Sequence, residues 1–252
     1  FTDFGTGYKF GKLALGLLPK LRFGEQYAKV KIFVNTYVMH WKEHVRDALP
    51  VFKDAHPISL ESGDLEFAAF SALMYCYHSF YSGVHLEALE RELARYISIV
   101  ADTKQDPTLN LLKVHHQLIL NLLGKAESDY QLIGPSYNEN EAKPTSGSEL
   151  YKLQLRYLLG HFEEALECGN WVGRRKTGIA ATFHLPEFRF YDALMRLALC
   201  RKVERQRQKK LLQAVDVDLR QLKKFASFSP MNHQHRYFLI EAELARVKGN
   251  HG

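Results

Sequence analysis

The chain has little cysteine, no long apolar run and no phosphate-cradling loop. Three cysteines, Cys76, Cys168 and Cys200, are spread over 252 residues with no C-x-x-C pair. An odd count at wide spacing argues against a disulfide framework and against a cysteine zinc site. Each thiol stands among apolar residues ("LMYCYHSF", "EALECGNW", "RLALCRK"), where a reduced, buried cysteine is expected. No apolar run reaches the roughly 18 residues that cross a bilayer, so no membrane partner is expected. There is no G-x-x-x-x-G-K-[ST] loop and no H-R-D kinase signature. Strand-like alternation is missing as well. The start, "FTDFGTGYKFGK", has neither Met nor a basic-then-apolar leader, and reads as the edge of a piece cut from a longer cytoplasmic protein.

What is present is helical grammar. Lys29 to Leu49 sets Val30, Phe33, Val34, Tyr37, Val38, Trp41, Val45 and Ala48 on one stripe of helical period. Leu65 to Phe80, "LEFAAFSALMYCYHSF", is apolar nearly all round and predicts a central helix, opened by Asp64 as N-cap. "HLEALERELARYISIVADTK" follows with Leu86, Leu89, Leu93, Tyr96 and Val100 in register. Asp106-Pro107 predicts the cap and first residue of a helix closing at Gly124. Later segments repeat the pattern, for roughly ten or eleven helices joined by short turns. Pro57 predicts a kink or break in the helix that begins near Pro50. The stretch 134–148, "GPSYNENEAKPTSGS", predicts a long mobile loop.

Net charge is +6 and the pI about 9.1. The basic residues gather at 174–176 and in "CRKVERQRQKKLLQAVDVDLRQLKK" (200–224). The second run also carries Leu211, Val215, Leu219 and Leu222 at helical spacing, so its charges read as the polar face of an amphipathic helix. It has no aromatic residue to stack on a base, and no nucleic-acid partner is expected.

One internal echo is visible. "GVHLEALE" (83–90) and "GHFEEALE" (160–167) share Gly-x-x-x-Glu-Ala-Leu-Glu. Glycine permits a tight turn between antiparallel helices, and the small Ala lets the second helix approach the first while the Leu beside it packs inward. That is the turn of a tetratricopeptide-type hairpin, and the two copies lie about two such units apart.

Five segments resemble one family: "MHWKE" (39–43), "SLESGDLEFAAFSALMYCYHSFYSG" (59–83), "LILNLLG" (118–124), "LPEFRFYDALMRLAL" (185–199) and "SPMNHQHRYFLIEAELARVKG" (229–249). They resemble the helical-repeat region of very large signalling proteins. Those chains join a Ser/Thr-kinase-like domain, a STAND or AAA-type ATPase, this helical region, a GAF domain and a sensor histidine kinase. The resemblance runs from about Phe4 to Gly249 and is thinnest between about 134 and 150. It implies a module that senses, couples or scaffolds between engines located elsewhere in the parent.

Candidate sites were weighed against plainer readings. His40, Glu43 and His44 in "HWKEHVRD" spell H-x-x-E-H, an inverted zinc-peptidase signature in which two histidines hold the metal and the glutamate takes a proton from its water. The helical stripe points Trp41 inward, His44 to its edge, and His40 and Glu43 further out. No third ligand is singled out, so an accident of spacing is the better reading. His115-His116 and His233/His235 sit on different sides of their helices and read as core or capping residues. "SPMNHQHRYF" reads as a helix start with Ser229 as cap and Pro230 opening it, or as a docking patch of Asn232, His233 and His235. Tyr75, Tyr77, Phe80, Tyr81, Phe188, Phe190 and Tyr191 read as core, or as the lining of a ligand groove.

The expectation is a single all-α domain over 1–252, an irregular tetratricopeptide-like α-solenoid of antiparallel hairpins. It is expected to be no enzyme, to need no cofactor or metal, and to regulate or scaffold a signal-transduction ATPase or kinase. Its partner would be a neighbouring domain of the parent, or a signalling protein or peptide. A small-molecule sensor with a pocket between helices is the alternative, and a zinc peptidase the remote one. The last helix should expose an apolar face near Phe238, Leu239 and Leu244 that favours self-association.

Overall fold

The structure is a computed structural model that describes residues 3–20, 24–175 and 178–249. Lys176 of the basic run lies outside them. The described residues form eleven α-helices, two 3₁₀ turns and one isolated β-bridge, with no strand among them. The chain divides into two compact units. Unit 1 comprises Phe1–Glu127 and Ile133–Asn138; unit 2 comprises Ser128–Leu132 and Glu139–Gly252.

Unit 1 holds α1 (Phe4–Leu17), α2 (Gly24–Tyr37), α3 (Leu49–Glu61), α4 (Leu65–Tyr81), α5 (Leu86–Ala101) and α6 (Asp106–Leu122). α4 is central, as its composition predicts. It packs on α2, α3, α5 and α6, and it buries Ala68, Ala69, Ala72, Leu73, Met74 and Cys76 on more than one face. The Asp64 carboxylate accepts the Phe67 N–H at 3.3 Å and starts the helix. Unit 2 holds α7 (Ser146–Leu158), α8 (Phe162–Arg174), α9 (His184–Cys200), α10 (Arg205–Phe228) and α11 (Pro230–Lys248). Its core joins Leu150, Leu153, Val172, Phe188, Met195 and Leu211 from the first four of these.

The echoed glycines perform the same backbone task. Gly83 and Gly160 adopt φ of +75° and +85°, a left-handed conformation that strains any residue with a Cβ. At the first, Val84 N–H reaches the Ser79 carbonyl at 3.0 Å; at the second, His161 N–H reaches the Arg156 carbonyl at 2.8 Å. Both are Schellman closures, and the same long bond recurs past Gly63 and Gly124. The helices that follow are phased differently. α5 begins three residues after its glycine and buries Leu89, leaving Ala88 half-buried; α8 begins two residues after and buries Ala165, leaving Leu166 half-buried. The turn is repeated while the packing residue is exchanged.

Several expectations need correction. The stripe from Lys29 to Leu49 is not one helix. α2 ends at Tyr37, and the 3₁₀ turns Met39–Trp41 and Val45–Ala48 carry the chain to α3. Trp41 Nε1–H donates to the Tyr37 carbonyl at 3.1 Å, so the ring folds back over the helix end and satisfies a carbonyl released there. Pro57 does not break α3, which runs on to Glu61. Asp106 is the first residue of α6, with Gln105 in the cap position.

The segment expected as a mobile loop is tied down by buried side chains. In unit 1, Ile133 and Asn138 form the lone bridge, and the Gln117 amide accepts the Ser136 N–H (3.2 Å) and donates to the Ile133 carbonyl (3.3 Å). In unit 2, the buried Glu139 carboxylate accepts the Leu132 N–H and an Arg156 N–H, each at 2.8 Å. Thr145 and Ser148 then close a reciprocal capping box that starts α7.

Candidate functional site

The H-x-x-E-H residues are not presented as a metal site needs them. His40 is buried with its ring 4.4 Å from that of Trp41, which is itself 4% exposed and stacked on Phe4 at 4.3 Å. Glu43 accepts the Tyr8 hydroxyl at 2.7 Å and lies 3.4 Å from Lys12 Nζ. His44 occupies a cap position, its Nδ1 accepting the Arg46 N–H at 3.0 Å. The helix ends before the motif starts, so the two imidazoles do not stack one turn apart. His40 is therefore inside, where a continuous helix would have turned it outward. "HWKEHVRD" is a connector clamped to α4: Arg46 donates to the Ser82 carbonyl at 2.6 Å, and Val45's carbonyl meets His78 Nδ1 at 3.3 Å. Among the described residues no three His, Cys, Asp or Glu side chains converge as a metal would need.

The other candidates separate as well. His115 packs on Tyr77 at 5.1 Å, while His116 turns to Ser136 Oγ and Glu90. His233 is buried 5.3 Å from Phe183, while His235 is exposed. Ser229 takes the cap position of α11, but its Oγ accepts from the Asn232 amide at 2.7 Å instead of from a backbone N–H. Asn232 is itself buried, so the cluster faces inward. The seven aromatics are buried or half-buried, and Phe188 lines a cavity. All three cysteines are buried, and burial pushes the Cys168 thiol up to about 12. The tripeptide Asp3-Phe4-Gly5 spells D-F-G but stands without an H-R-D segment and serves the helix start. There Asp3 caps α1 by accepting the Thr6 N–H at 2.9 Å, and Phe4 is the ring on Trp41.

A different set of residues does converge. α8, α9 and α10 of unit 2 border an open cavity of about 320 Å³. Gly169 and Gly173 on α8 and Ala214 on α10 leave room for it, and Phe188 and Val217 supply apolar wall. An added Cβ at Gly169 would come within 2.5 Å of Asp192 Oδ1, so only glycine admits the neighbouring carboxylate. Two aspartates stand inside. Asp192 lies on the α9 stripe Phe188, Asp192, Met195, Leu199, and Asp218 on the α10 stripe Leu211, Val215, Asp218, Leu222, all buried. Each takes a place that spacing assigns to an apolar side chain. Arg196 grips Asp192 with Nε at 2.8 Å and Nη2 at 3.0 Å, and reaches Asn170 Oδ1 at 3.1 Å. Arg189 Nη1 meets Asp218 Oδ1 at 2.6 Å.

Burial, followed by the Asp192 carboxyl, pushes the Asp218 pKa up to about 8. Arg189 pulls the other way without offsetting them. The protonated form of Asp218 is thereby favoured. The donors are in excess: Arg189 Nε is buried without an acceptor. Arg174 stands exposed at the cavity wall with no ion pair among the described residues. The cavity size is at the lower end of the range for small-ligand sites. Spacing alone held one signal for it, a charged residue on an otherwise apolar stripe, which Leu219 beside Asp218 masked.

The comparisons bear on part of the chain. Over 127 residues it is 25% identical to hybrid signal transduction histidine kinase G of Dictyostelium discoideum, an alignment spanning 49% of this chain and 4% of that protein. The chain thus matches a small fraction of its relative's length. No family model matches the chain. No solved structure gives a significant match.

Proposed function

We propose that this chain is a non-catalytic regulatory or scaffold module of a signal-transduction protein, with a tetratricopeptide-like stacking of helical hairpins. The observation that carries the signalling context is the similarity of half the chain to a hybrid histidine kinase. Support for the stacking comes from helices that pack on their second neighbours as well as their first: α4 on α2 and α6, and α9 on α7 and α11. Layering of that kind, closed by repeated glycine turns, is how solenoid units bury their faces. On this reading the module docks a protein segment or a neighbouring domain of its parent and biases an output kinase or ATPase. The test is calorimetry and affinity capture with flanking domains of a parent protein. The reading predicts a saturable partner; absence of any partner by both methods overturns it.

The same reading places self-association on α11. Phe238 and Leu239 are 53% and 45% exposed, with Met231 one face-repeat earlier. Leu244, expected beside them, is buried because it turns to the core side of the helix. Light scattering should give concentration-dependent dimers that Phe238→Asp removes, and a monomer at all concentrations would count against that contact. No helix among the described residues is long and apolar enough to cross a membrane.

A second reading, a small-molecule sensor, is favoured by the cavity between α8, α9 and α10, with its mixed apolar wall and convergent polar groups.

A further inference from the structure

We propose that the α8–α9–α10 cavity is a binding site for a small oxyanion, a phosphate- or carboxylate-bearing ligand held by Arg174, Arg189 and the Asn170 amide. This inference rests on the sensor reading of the cavity and names its ligand class.

The argument is one of unmatched donors. Both side-chain acceptors inside the cavity are already engaged: Asp192 by two nitrogens of Arg196, and Asp218 by Arg189. Asn170 presents its oxygen to Arg196, which turns its NH₂ group away as a donor with no acceptor assigned. Arg189 spends a guanidinium nitrogen on Asp218, and its side chain, 14% exposed, keeps further donors at the cavity wall. Arg174 adds a full positive charge that makes no ion pair among the described residues. Three guanidinium groups thus face two carboxyl groups, and burial of Asp218 disfavours its charged form. A cation would meet that positive excess. An oxyanion would find the fork geometry that arginine offers to planar or tetrahedral oxygens. The glycines matter here too. With no side chains at 169 and 173, the cavity reaches the α8 backbone and leaves space for a group of a few heavy atoms.

The test uses the whole chain and two variants. Arg174→Gln removes an exposed side chain that makes no ion pair among the described residues. Gly173→Leu fills the cavity: a Cβ there meets only Phe188 Cζ at 3.8 Å, an ordinary contact, and a helix interior prefers Leu to Gly. Calorimetry is run with inorganic phosphate, with succinate and with ethylguanidinium, at ionic strength fixed by sodium chloride. Saturable binding of phosphate or succinate is expected, weakened at least tenfold by Arg174→Gln and abolished by Gly173→Leu. Whichever anion binds more tightly identifies the source of the oxygens. Circular dichroism confirms that each variant is folded, and Arg174→Gln alone decides the matter if Gly173→Leu is not. Anion binding unchanged in Arg174→Gln overturns the proposal. Binding of ethylguanidinium alone, lost in Gly173→Leu, also overturns it but leaves the sensor reading standing. No binding of any probe removes both.

Discussion

The two units differ in the buried ion pairs that one of them adds to buried imidazoles. Unit 1 buries imidazoles on aromatic rings: His56 lies 5.0 Å from Tyr96, His78 4.8 Å from Phe52 and His115 5.1 Å from Tyr77. Ion pairs of unit 1 such as Lys29–Asp64 keep 30% and 22% of their side chains open to water. Unit 2 also buries His184 and His233, but it adds ion pairs deep inside: Arg189–Asp218, Arg196–Asp192 and Arg236–Glu187. A neutral imidazole on a ring loses little on burial at neutral pH. A buried ion pair carries a desolvation cost that attraction only roughly offsets, so it is weak evidence for stability. In unit 2 two of these pairs flank the cavity, which gives them a role in shaping a site.

The contrast can be broken most sharply at Arg236. Its Nη2 lies 2.5 Å from Glu187, whose side chain is 4% exposed. Burial raises the Glu187 pKa and Arg236 opposes it. Arg236→Met leaves that carboxylate unpaired and should cost about 3–5 kcal/mol in denaturant unfolding. A loss below about 1 kcal/mol would mean that the unit 2 pairs are no more demanding than surface ones.

pH should divide the units next. Burial lowers the His78 pKa from 6.5 to about 4. Its contribution to stability is full above 6.5 and is lost as pH falls toward 4, about 3 kcal/mol in all. Asp218 has the opposite sign. Its pKa is raised from 3.8 to about 8, so its contribution is full below 3.8 and is lost as pH rises through 8. Segment-resolved hydrogen exchange should show α4 loosening as pH falls from 6.5 toward 4, and α10 loosening as pH rises from 4 toward 8 and no further above it. Asp218→Asn should remove the α10 response between pH 4 and 8 while leaving the α4 response intact.

Smaller effects test the packing. Gly169→Ala drives a methyl against Asp192 Oδ1, held in place by Arg196, and should destabilise unit 2 by about 1–3 kcal/mol despite the better helix propensity of Ala. Equal or higher stability would show that the carboxylate can move. Asp64→Ala deletes the α4 cap in unit 1 and should cost about 1 kcal/mol in the same assay. No change there would assign the helix start to packing alone.

Helix existence was legible because it follows from local rules: apolar period, caps such as Asp64, and closing glycines at 83, 124 and 160. Of the α10 stripe Leu211, Val215, Leu219 and Leu222, three are buried and Leu219 is half-buried, its place inside taken by Asp218. Errors came where a long-range contact overrode the local pattern. Trp41 folds back onto Tyr37 and ends a stripe that periodicity would continue. The polar stretch after Gly134 is held by Gln117 and Arg156, residues that composition alone cannot connect to it.

By itself, then, the sequence determined an all-helical chain, its turn positions, a buried Trp41 and buried cysteines, since each depends on neighbours within a few residues or on hydrophobicity. Tertiary structure alone decided that the H-x-x-E-H residues face separate partners and that two aspartates meet three arginines between α8, α9 and α10. Both outcomes depend on which helix faces lie opposite each other, and the periodicity of one helix carries no information about the charge on the next.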